Sequence, residues 1–259
     1  MSSLAWLTLF LVGVLGGALN SVVGGGTFVV FPALLIGGIP AVSANATATL
    51  VLWPGGITSA LAYRNDIRLP RALLLALSVA SLVGGGIGGW LLVHTPGAAF
   101  VRLVPWLLLF ATVLLTFGAR INAWLQPKRA REKSGGRRAI FGIAAIQFVI
   151  SIYGGYFGAG MGILMLAALA LMNLGNIHVM NGVRSILAVL INSVALVLFI
   201  LAHAIAWRPA IVMMIGATLA GYSGAAIARR IDPKLVKRFV LIVAWGMTVY
   251  FFAKTYHAI

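Results

Sequence analysis

Apolar residues dominate ten stretches of this chain, near 4–23, 27–37, 42–62, 70–93, 100–119, 139–157, 162–173, 178–204, 208–228 and 235–255, with polar or Gly- and Pro-containing breaks between them. They lack the period-2 alternation of an outer-membrane barrel, and most reach the roughly 20 residues that carry a helix across a bilayer. The pattern predicts an all-α integral membrane protein, a helical bundle. The second and seventh stretches differ from the rest. About 11 residues of helix rise only about 16 Å, too little for a perpendicular crossing, so each reads as a half-helix or the short leg of a broken helix.

Both short stretches follow a Gly-rich break. The first is Asn20-Ser21-Val22-Val23-Gly24-Gly25-Gly26-Thr27, and the second is Gly154-Gly155-Tyr156-Phe157-Gly158-Ala159-Gly160-Met161-Gly162. Unwound backbone at membrane depth is tolerated only where protein or a water-filled cavity satisfies it, and two such breaks in corresponding halves point to a transporter's binding site. Sliding the halves by 136 residues pairs Gly24 with Gly160, Gly26 with Gly162, Asn45 with Asn181, Gly85 with Gly221, Gly88 with Gly224 and Arg102 with Arg238. Both halves run span, Gly break, half-helix, Asn-bearing span, Gly-rich span, final span. The expected organisation is an N-terminal repeat over 1–119, a basic linker over 120–138 and a C-terminal repeat over 139–259. Five crossings per half make the repeats inverted, with the discontinuous helices meeting at a Gly-rich midplane break. Eight full spans with two irregular elements is the other count.

Composition narrows the picture. Of 259 residues, 62% are apolar and 8% charged, and the mean hydropathy is +1.08, beyond what a soluble domain can hide. The first stretch lacks a basic start and is kept as a span rather than a cleaved signal peptide. Nineteen Lys and Arg against Asp66, Glu132 and Asp232 give a net charge of +16. In a membrane protein this reads as cytoplasmic loops facing anionic lipid rather than nucleic-acid binding. The linker, with Lys128, Arg129, Arg131, Lys133, Arg137 and Arg138, is placed in the cytoplasm. Five crossings to either side then bring Arg64, Arg68, Arg71, Arg229, Arg230, Lys234 and Lys237 to that face. Four crossings would strand the last group outside, against the positive-inside rule.

The same composition excludes several chemistries. With no cysteine and three loop acids, thiol catalysis and coupling through intramembrane carboxylates have almost nothing to use. His94, His178 and His203 are too dispersed for a metal site. Gly84-Gly85-Gly86-Ile87-Gly88-Gly89 lacks the strand and the Lys-Ser/Thr of a nucleotide loop and reads as helix packing. No cofactor, metal or enzymatic activity is expected.

The candidate binding residues follow from anion chemistry. Gly24, Gly25, Gly26 and Thr27 precede one half-helix, and Gly158, Gly160 and Gly162 border the other. Free amides at such starts, with the positive end of the dipole, suit an anion. Asn45 and Asn181 occupy equivalent places and offer neutral amides; interhelical hydrogen bonding is their alternative role. Arg184 is the charged residue well inside a span, and its planar fork suits an oxyanion, with snorkelling as the competing explanation. Asn20, Tyr153, Tyr156, Ser185 and Asn192 are second-rank lining residues.

At these positions the chain resembles the TauE/SafE sulfite exporter family. Gly16-Gly17, Asn20, Gly24-Gly25-Gly26, Pro32, Ala44 and Thr47 look like its first repeat, and Gly154-Gly155, Gly158, Gly160, Gly162 and Gly182 like its second. Ala168 stands where the first half has Pro32, and Asn173 where it has Gly37, so unequal half-helices are expected. The resemblance implies a multi-pass protein of the cell inner membrane that exports, or in some members takes up, sulfite, thiosulfate, sulfoacetate or a related anion. The expected partners are that small anion and the lipid bilayer, with no nucleic acid; a homodimer is the candidate assembly. An anion channel or a membrane subunit of a larger complex are the competing functions.

Overall fold

The computed structural model describes residues 3–23, 25–62, 69–125, 137–171, 177–228 and 233–256. Among them are ten α-helices and no strand: α1 Ser3–Val23, α2 Thr27–Ile36, α3 Ala41–Ala62, α4 Arg71–His94, α5 Gly97–Leu125, α6 Arg137–Tyr156, α7 Met161–Ala170, α8 Ile177–Leu201, α9 Trp207–Ala228 and α10 Pro233–Tyr256. The short helices α2 and α7 fall where the short apolar stretches do. Among the described residues four segments are long and apolar enough to cross a membrane, Arg71–His94, Gly97–Gly118, Val179–Leu201 and Lys237–Tyr256, with mean hydropathies of 1.4 to 2.3. Helix enters both ends of the 120–138 segment, since α5 runs to Leu125 and α6 begins at Arg137. Gly24, Arg64, Asp66, Arg68, Lys128, Arg129, Arg131, Glu132, Lys133, Asn173, Arg229, Arg230 and Asp232 lie outside the described residues.

Side-chain register fixes how the helices run. Gly13 and Gly17 of α1 lie against Met213 and Ala217 of α9, so these two are parallel. The α4–α6 pair is parallel too, with Gly84 against Ser151 and Gly88 against Ile152 and Tyr156. In both pairs the backbones approach so closely that a β-carbon would strike the opposite main chain, which explains the glycines there. Gly85 and Gly89 of α4 meet Ile191 and Ala195 of α8 in the same sense. By contrast α3 crosses α8 antiparallel, through Trp53 Nε1 donating to Ser193 Oγ (3.0 Å) and Ser59 Oγ against Ser185 Oγ (3.1 Å). Helices α5 and α10 are also antiparallel, joined by Thr112–Thr248 (3.1 Å) and Trp106–Tyr256 (3.0 Å).

These directions place the exposed Arg71, Arg120 and Arg238, with half-buried Lys237, at one end of the bundle. His94, Arg102, His203, Arg208 and Lys254 stand at the other. Phe28, Phe31, Phe100 and Phe199 are buried in the centre, whereas Leu75, Val79, Phe141, Val149, Leu219 and Ile242 project outward with more than half their surface free. An outer surface this apolar suits hydrocarbon, where close packing rather than water exclusion holds helices together.

Candidate functional site at the glycine breaks

The first break is tightly packed. Gly25 and Gly26 are buried. A β-carbon at Gly25 would lie 2.7 Å from Val240 Cγ1, and one at Gly26 would strike the Gly16 carbonyl and come within 2.9 Å of Leu52 Cδ2. Gly26 is right-handed (φ −59°, ψ −35°). The opening amides of α2 are partly committed, with Phe28 donating to Gly25 O (3.2 Å) and Val29 and Val30 to Gly26 O (3.1 and 3.0 Å). Thr27 and Asn20 flank it half-buried.

The second break is built differently. The amides of Phe157 and Gly158 both donate to Tyr153 O (2.9 and 3.2 Å), which closes α6. Gly158 and Gly160 then take φ of 77° and 76°, a left-handed conformation that a side chain makes costly. Tyr153 Oη donates to Ala159 O at 2.5 Å and holds the loop. As α7 starts, Met161 N donates to Gly158 O (3.2 Å) and Ile163 N to Gly160 O (3.0 Å). A β-carbon on Gly162 would lie 3.1 Å from Arg184 Nη1 and 3.4 Å from Arg184 Cδ. The guanidinium therefore lies across the first turn of α7, in space that a β-carbon on Gly162 would crowd. The position equivalent to Arg184 in the first half holds Ala48, so the two breaks are chemically unequal.

The remaining candidates divide. Asn45 is 1% exposed; its Nδ2 donates to Tyr156 O (3.0 Å), and its Oδ1 has no partner among the described residues. Tyr156 Oη meets Thr95 Oγ1 (3.3 Å). Ser185 is buried against Ser59, while Asn181 and Asn192 are half-buried on α8. Because α3 and α8 are antiparallel, Asn45 lies to one side of their crossing and Asn181 to the other. The structure thus brings together Gly162 with Arg184, Tyr153 with the second loop, and Asn45 with Tyr156, but leaves the two Asn apart. Ser59 and the Thr112–Thr248 pair escaped sequence reasoning. That threonine pair is 136 residues apart, the offset that aligns the glycines, so the same alignment could have found it. A cavity of about 240 Å³ opens away from both breaks, beside Trp6, Leu34, Ile39 and Arg208.

Long apolar helices with lipid-compatible faces, interrupted by paired short helices, define a multi-pass α-helical membrane protein. The chain belongs to the sulfite exporter TauE/SafE family, whose model matches residues 9–251. It is similar to a probable membrane transporter protein of Haemophilus influenzae, 26% identical over 93% of this chain and 91% of that one. The probable membrane transporter protein ORF9 of Sinorhizobium sp is 27% identical over 96% and 93%. Escherichia coli K12 YfcA, another probable membrane transporter protein, is 26% identical over 93% and 87%. No solved structure matches. The chain is accordingly a membrane transporter, of a family that moves solutes rather than transforming them.

Proposed function

We propose that this transporter exports sulfite, sulfoacetate or a related small sulfur-containing anion across the cytoplasmic membrane, binding it where Arg184 lies over the start of α7. One observation carries the reading. The Arg184 guanidinium lies against the first turn of α7, so its charge and the positive end of that helix's dipole face the same place, where an anion would gain from both. With the anion present, both become ligands, and the flat fork matches a sulfur oxyanion's paired oxygens. The left-handed Gly160 sets the start of that first turn, and Gly162 and Asn181 are half-buried, as residues an anion can reach would be. Asn45, whose donor is committed to Tyr156, stays outside the anion's shell.

Thr112 bonds to the residue one offset away, as two positions on a twofold axis would, and the offset pair Arg102 and Arg238 stand at opposite ends. Both facts support inverted repeats, hence alternating access around a central site. The end carrying Arg71, Arg120 and Arg238 is then cytoplasmic. Outward movement of a monoanion gains about 2.3 kcal/mol per 100 mV from an inside-negative potential. The test is flux of radiolabelled sulfite, thiosulfate and sulfoacetate in proteoliposomes, with and without a proton gradient. Saturable flux of at least one is expected. Continuous, unsaturating conductance in bilayer recordings would instead identify an anion channel, and flux of none would end the proposal.

A further inference from the structure

We propose a second site on the same loop: the C-terminal turn of α6 and Asn45 hold a hard monovalent cation, for which Na+ is the probe. Its coupling to the anion rests on the transport reading above; the site itself does not.

Asn45 is 1% exposed and its Nδ2 is fixed on Tyr156 O at 3.0 Å, which commits the amide's orientation and leaves Oδ1 without a partner among the described residues. A buried acceptor without a donor is costly and calls for an explanation. The atom that Nδ2 contacts, Tyr156 O, is itself an acceptor. The amide of Gly158, which a continued helix would give to Gly154 O, goes to Tyr153 O instead. The last turn of α6 therefore ends on carbonyls, at the negative end of a 20-residue helix. Asn45 Oδ1 stands one amide group from the Tyr156 member of that set.

This chemistry excludes an anion and favours a cation. Asn45 Oδ1 and the α6 carbonyls are neutral oxygens, and among the described residues no group of His, Cys, Asp and Glu could hold a metal ion. Neutral oxygens cannot offset a double charge, which points to a monovalent ion held by carbonyls, as at broken-helix ends in other secondary transporters. One glycine break would then offer opposite poles: carbonyls ending α6 for the cation, and amides with Arg184 starting α7 for the anion. A coupling ion bound this way needs no carboxylate, and the chain's three Asp and Glu residues all lie outside the described residues.

The experiment follows thermal unfolding of the purified full-length protein in detergent, at constant ionic strength, in NaCl, KCl or choline chloride. Na+ or K+ should raise the midpoint in a concentration-dependent way that choline does not. The shift should persist in Arg184→Ala and vanish in Asn45→Ala. Should Asn45→Ala not fold, Asn45→Asp serves, because it keeps oxygen there and adds charge; its apparent cation affinity should rise about tenfold. Identical curves in all three salts would mean that water alone fills the place, and an undiminished shift in Asn45→Ala would put the ion elsewhere; either overturns the proposal. Cation stabilisation without flux of any sulfur anion would keep this site and remove the transport reading. Flux with no cation response does the reverse.

Discussion

Arg184 and Gly162 are 22 residues apart on separate helices, and their meeting decides what the second break can do. A charge-assisted hydrogen bond contributes about 1.5–3 kcal/mol, so Arg184→Ala should lower saturable flux by roughly ten- to a hundredfold while the protein stays folded. Arg184→Lys keeps the charge but loses the fork and should fall between, as an increase in KM. Gly160→Ala probes the backbone alone. Its β-carbon would meet Ala111 only at 3.5 Å, but φ of 76° costs about 1–2 kcal/mol, so the unfolding midpoint should drop by roughly 2–8 °C. Arg184 stood out in the sequence because an intramembrane charge is expensive. Its partner was not legible, since no spacing rule links residues across two helices. Asn45 shows the same limit: the residue was visible, but that its Nδ2 bonds to Tyr156 O while its Oδ1 has no partner among the described residues is a property of the fold.

At the scale of elements, apolar length and glycine placement carried nearly everything. The stretches expected at 27–37, 42–62 and 208–228 became Thr27–Ile36, Ala41–Ala62 and Trp207–Ala228. Departures have local causes. The stretch expected to run to 204 stops at Leu201 because His203 turns left-handed (φ 51°), and α5 continues to Leu125 because its polar final turns are still helical. The glycine run in α4 is explained by Gly88, whose neighbours are the main chain of Ile152, Gly155 and Tyr156, atoms that cannot rotate away. Gly88→Val should separate α4 from α6, costing about 1–3 kcal/mol or more, and be seen as a lower unfolding midpoint and loss of monodispersity in detergent. Gly56→Val, where a β-carbon meets only the tip of Val189 at 3.4 Å, should be far milder. Equal effects would show that α4 and α6 are not held by backbone contact.

The whole molecule is not symmetric between its two ends, and the asymmetry is written in side chains rather than in helix order. On the side of Asn45, aromatic rings interlock: Phe31 with Phe157 at 5.5 Å, Phe100 with Tyr156 at 5.7 Å and Phe110 with Tyr153 at 5.3 Å between centroids. Thr47, fully buried there, accepts the Ala206 amide at 3.0 Å. One offset away, the places of Phe31, Phe110, Tyr153 and Tyr156 are taken by Ala167, Gly246, Gly17 and Asn20, residues too small to form such a plug. Correspondingly, Asn181, Arg184 and Gly162 are half-buried rather than sealed. The second break should therefore be reached from the end that carries Arg71 and Arg238, and be closed from the end that carries Arg208. A chain without cysteine makes this directly measurable. A hydrophilic thiol reagent should modify Asn181→Cys several-fold faster than Thr47→Cys in membranes exposing the basic end, and Thr47→Cys should stay protected from either side. Removing the plug with Phe157→Ala should raise Thr47→Cys labelling from the Arg208 end alone. Labelling of Thr47→Cys in the unaltered background, at the rate of Asn181→Cys, would mean that the aromatic cluster is packing without a gating role.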